Sequence, residues 1–131
     1  MYNGTTINDS ATIVGAASAA INGGEFLAAK FSSGKIATCG TAGEHVLGII
    51  IPGQDSIAAD ADVAVQIKDI GRWKAGAAVA VGAELATDAN GKAVTATAGS
   101  FIFAIALKAA TAANQIIQVQ IVKAGYKPSA S

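Results

Sequence analysis

The chain is poor in the residues that most often carry chemistry. In 131 residues it has one cysteine, one histidine, one tryptophan and two prolines. With Cys39 alone, no intrachain disulfide is possible, which fits synthesis in a reducing compartment. Aromatic residues make up 5% of the chain, so the core must be built from thin layers of Ala, Val and Ile. Nine basic residues balance nine acidic ones, and without a basic field the counterion release that drives nucleic-acid binding has little to work on. No apolar run reaches the roughly eighteen residues of a membrane helix, and Lys108 interrupts the best candidate. The N-terminus lacks a basic stretch followed by an apolar one, so no signal peptide is expected. No GxxxxGK motif occurs, and Gly40 and Gly43 open no helix. His45 has no nucleophile in an elbow-like motif beside it, and nucleophilic catalysis needs a partnered set. The expectation is no enzyme, no cofactor and no membrane or nucleic-acid partner.

What is present is strand signal. Residues 81–125 carry the clearest pattern. Asp88-Ala89-Asn90-Gly91 reads as a hairpin loop, because Asp accepts local backbone N–H bonds and Gly tolerates positive φ. Residues 101–107 place their large side chains on alternate positions, and Ile117-Gln118-Val119-Gln120-Ile121 alternates apolar with polar, the period of a half-buried strand.

Much of this stretch has a fainter copy upstream. Ala19-Ala20-Ile21 matches Ala77-Ala78-Val79, Gly24 matches Gly82, and Leu27 matches Leu85. Residues 34–38 match 91–95, Leu47-Gly48-Ile49 matches Phe103-Ala104-Ile105, and 63–67 match 117–121. Each half then supplies strands near 25–30, 35–38, 45–51 and 63–69, and near 84–87, 92–96, 101–107 and 116–123. Many short strands with Gly-rich turns predict a mainly β fold, a small β-barrel or β-sandwich with an internal pseudo-repeat and an extended N-terminal arm. The expected division is an arm over 1–18, one β domain over 19–125 with pseudo-repeats 19–71 and 77–125, and a frayed tail over 126–131.

Candidate sites are few. His45 is expected half-buried on the strand face it shares with Leu47, Ile49 and Ile51. Cys39, whose counterpart in the repeat is Ala96, reads as a small buried hydrophobe. Asp55, Asp60 and Asp62 cluster, but their spacing fits no standard calcium loop, and a solvated loop is the expected reading. Arg72-Trp73-Lys74, in the link between the halves, is either a subunit contact, with Arg72 and Trp73 at its centre, or a Trp plugging one end of the β-fold. Residues 2–14 fall outside the repeat and carry isolated apolar anchors. Tyr2, Ile7, Ile13 and Val14 are the candidates for a contact with a partner protein or a neighbouring subunit made by strand addition.

The run VQIKDIGRWKAGAAVAVGAELATDANGKAVTATAGSFIFAIALKAATAANQIIQVQIV resembles the C-terminal half of tailed-phage capsid decoration, or cement, proteins. The shared pattern is a strand ending at Ile70-Gly71, then Gly82, the turn Asp88 to Lys92, a strand through Ala104 to Leu107, and a last Val/Ile strand through 116–122. Ala104 stands where that family's pattern has Gly. The resemblance implies a β-fold structural protein that forms homotrimers on the exterior of an icosahedral phage head. There it would bridge neighbouring subunits of its partner, the major capsid protein, and stabilise the expanded capsid. Such a protein is made in the host cytoplasm and ends in the virion. The rival is a carbohydrate-binding or adhesive β-module of a virion fibre, which would present several exposed aromatics; here Tyr2, Trp73 and Tyr126 are scattered in sequence.

Overall fold

A computed structural model describes residues 12–51, 53 and 56–128. Among these no helix forms, and the chain folds as short strands in antiparallel ladders. The first half contains β1 (Thr12–Ala16), β2 (Ile21–Asn22), β3 (Ala28–Ser32), β4 (Lys35–Thr38), β5 (Gly48–Ile50), β6 (Ser56–Ile57) and β7 (Asp62–Gln66). The second contains β8 (Asp69–Lys74), β9 (Glu84–Thr87), β10 (Ala93–Thr95), β11 (Phe101–Ala106) and β12 (Ile116–Tyr126).

The two five-stranded sheets have one strand order. The first runs β1-β7-β5-β3-β4, and the second, read from its other edge, runs β8-β12-β11-β9-β10. Details repeat with it. Ala17 forms a parallel bridge to Ile36, as Ala75 does to Ala93. The Ala17 N–H donates to the Ala61 carbonyl, as Ala75 donates to Gln115. Asp60 and Asn114, which donate back to Ala17 and Ala75, share the left-handed conformation at φ 67° and 73°. Each sheet therefore curls until its two edges touch. A single parallel bridge is not a ladder, so neither sheet is a closed barrel and the arrangement is sandwich-like.

Two interiors result. One gathers Ala17, Ile21, Ile36, Ile50, Val63 and Val65 inside the first sheet. The larger gathers Trp73, Leu85, Phe103, Ile117 and Val119, and also takes Ala28, Cys39, Val46 and Ile49 from the first half. Backbone bonds sew this seam. Ala28 N–H donates to the Gly91 carbonyl at 2.7 Å, Lys74 N–H to Phe26 at 3.0 Å, and Gly43 N–H to Thr87 at 2.9 Å. The turn after β9 supplies the key acceptor. Asp88 Oδ1 accepts from the N–H groups of Asn90 and Lys92, and Gly91 closes the turn at φ 77°.

The expected strands form, with shifted ends, and four more are found: β1, β8 and the two-residue β2 and β6. Residues 71–74, read as part of a link over 71–76, belong to β8. Residues 12–16, assigned to the arm, are β1 and pair along the whole of β7. Tyr126, placed in a frayed tail, ends β12, and Lys127 beyond it is bonded to Ser100 and Gly99.

Candidate interaction surface

The sequence-predicted sites fall into three groups. Trp73 is wholly buried, with its Nε1–H donating to the Gly91 carbonyl at 2.9 Å and its ring edge-on to Phe103 at 5.2 Å. Gly71 and Trp73 face inward on β8, as does Ala75 just beyond it, while Ile70 and Arg72 face outward, so the Trp73 side chain packs in the core. Arg72 stays on the surface. His45 is also corrected: it lies on the exterior ahead of β5, its ring 4.5 Å from that of Phe101. The loop before β5 keeps it off the face that carries Val46 and Ile49.

Cys39 is buried beside Glu44. Burial first, then the neighbouring carboxylate, push its thiol pKa up to about 12, so it is inert as a nucleophile at neutral pH. For Glu44, burial pushes the carboxyl up. Hydrogen bonds from the Thr41 N–H, the Lys30 ammonium and the Gly40 N–H outweigh it and hold the pKa below the usual carboxylate range. This charge pins the loop that carries Gly43 across to the second half. In the acidic cluster Asp60 pairs with Lys35, Asp62 opens β7 in solvent, and Asp55 lies outside the described residues. Among the described residues no three His, Cys, Asp or Glu side chains converge on a metal position.

Of the arm candidates, Tyr2 and Ile7 lie outside the described residues. Ile13 and Val14 are adjacent on β1, where Ile13 packs against the first interior and Val14 is 62% exposed. β1 is an edge strand, and so is β8, its counterpart. The opposite edges are β4 and β10.

A feature with no signature in the sequence lies along β8. A groove of about 360 Å³ runs between β5 and β8, lined by Phe26, Ile49, Ile51, Gln66, Ile70 and Arg72. A second hollow of about 250 Å³ continues it over Ile116, Gln118 and Lys108, sharing Phe26 and Arg72. Phe26 reaches this place because its backbone takes φ 65°, a conformation its counterpart Gly82 takes at 84°. The phase of the repeat is therefore Phe26 with Gly82, since both donate to the matching carbonyls of Ile50 and Ala106. The expected matches of Gly24 with Gly82 and Leu27 with Leu85 are out by two.

These observations define an all-β protein with edge strands and a groove lined largely by apolar side chains. The comparisons agree in class. A family model described as phage cement protein matches residues 5–121, and the chain belongs to that family of structural phage proteins. Among solved structures, the head fibre gp8.5 N base of bacteriophage phi29 is similar, with TM-score 0.58 and 18% identity. That match covers 88% of this chain and 97% of the other, and shows a shared fold. No curated protein matches the chain.

Proposed function

We propose that the chain decorates the exterior of an icosahedral phage head as a homotrimer and stabilises the expanded capsid by bridging major capsid subunits. The family match over residues 5–121 carries this reading, since it takes in the N-terminal segment as well as the β-fold. Stabilisation follows from mass action: a protein that binds the expanded shell and not its free subunits shifts the equilibrium toward the shell. Symmetric placement of several weak contacts adds avidity. The contacts in this reading are the segment with Tyr2 and Ile7, its continuation through Val14 on the edge of β1, and Arg72 on the edge of β8. We also read the chain as one β domain built from two copies of one unit, each starting at an edge strand and ending in the strand that pairs with that edge.

Sedimentation with purified heads tests the reading. Full-length protein should co-sediment and raise the temperature at which heads release DNA. A chain lacking residues 1–10 should fold and bind more weakly. Failure of the full-length protein to bind expanded heads at any concentration contradicts the proposal. One observation favours the fibre-module rival: Tyr126, 59% exposed, lies 5.4 Å from Phe101, which in turn contacts His45, so three rings scattered in sequence meet at one end. Binding to a glycan panel, with none to heads, would select that reading.

A further inference from the structure

The β8 edge is an unfinished sheet. Its inner side pairs with β12 from Asp69 to Lys74. On its outer side the Lys74 N–H donates to the Phe26 carbonyl at 3.0 Å, and the Ile70 carbonyl accepts from Gln66 Nε2 at 2.8 Å. Gln66 thus stands where a neighbouring strand's amide would stand. Strand alternation then directs the N–H and C=O of Arg72, midway between these two clamps, into the groove. Apolar side chains of Phe26, Ile49, Ile51 and Ile70 flank those groups, and the cations Arg72 and Lys108 make no ion pair with a described residue.

We infer that this groove is the acceptor for a short extended strand, the N-terminal segment of a second copy of the chain. This rests on the self-association put forward above and names the surface that carries it. Three features fit the occupant. Thr5-Thr6-Ile7 is a β-branched run of the length that can pair with the open span between the clamps. Asp9, the only charged side chain in residues 2–14, complements the Arg72 and Lys108 cations. Eleven residues precede Thr12 and can extend by roughly 36 Å. The donor is a second copy because the reading above has the chain self-associate. The chain's own segment enters β1 at Thr12, which pairs with Gln66 at one end of the groove, so a wild type that fills its own groove and stays monomeric is the outcome that excludes exchange.

Mixing two defective chains tests this without any capsid. Arg72→Pro removes the groove's open N–H but keeps the donor segment. Deletion of residues 1–10 removes the donor but keeps the groove. Sedimentation velocity should show the wild type associated, and each variant alone should associate roughly tenfold or more weakly, the effect of losing main-chain pairing. An equimolar mixture should recover a heterodimer, because one chain supplies the strand and the other the edge. If Arg72→Pro fails to fold by circular dichroism, Ile70→Glu, a surface change in the same groove, replaces it. A monomeric wild type, a variant that associates as the wild type does, or a mixture with no heterodimer each overturns the inference. Head binding by a monomeric wild type would overturn it while leaving the decoration reading in place.

Discussion

Single residues decide how the two halves hold together. The Gly91 carbonyl accepts from both the Ala28 N–H and the Trp73 indole, so one oxygen serves the seam and the largest core side chain. Trp73→Phe should keep the fold yet cost about 2 kcal/mol, from a buried acceptor that loses a partner and from lost volume. Urea denaturation followed by circular dichroism measures it, and an unchanged midpoint would contradict this role. Cys39 offers a second check. With its thiol pKa at about 12 and its side chain enclosed, it should resist alkylation at pH 8 in the native protein and react once urea unfolds it. Sequence reading placed Cys39 well, because a lone cysteine opposite an alanine in the repeat has few other uses. It placed His45 and Trp73 less well. An unpaired aromatic in a Gly-flanked run looks the same in sequence whether it points in or out, and the pleat phase of β8 settled the matter.

Among the elements, the loop between β4 and β5 is held by one carboxylate. Glu44 has a folded-state pKa below its ordinary value, so its contribution is present above the unfolded pKa, near 4.3, and fades as pH falls through the folded one. Glu44→Gln should therefore be less stable than the wild type at pH 7, with the gap closing as the pH drops toward 3, measured by thermal melts. A constant gap would mean the loop is held by shape alone. Gly48 shows the same economy in a strand. A Cβ there would meet the Gln66 carbonyl oxygen at 2.2 Å, so Gly48→Ala should break the β5–β7 pairing and lower the melting temperature by several degrees. Ala104 holds the corresponding register against Leu85, on a strand whose ladder to β12 shifts between Ile102 and Ala104. The strands were legible because their alternation is local. β1 and β8 were not, since each is an edge strand broken by Gly15 or Gly71, and β2 and β6 are too short, at two residues each, to show alternation. The phase of the repeat slipped at Phe26 because Ala and Gly are so frequent that two registers score alike.

For the whole molecule, charge is balanced and β1 and β8 stand at corresponding edges of the two five-stranded sheets. The β class, the second-half turn and the family likeness were all legible before the structure. The groove was not, since it joins β5 to β8 and depends on the left-handed backbone at Phe26. The most direct test of decoration is co-sedimentation of the full-length chain with expanded heads and with unexpanded proheads of its phage. Saturable binding at a fixed ratio to the major capsid protein, on expanded heads alone, is the expected result. Equal binding to both forms, or none to either, would contradict it.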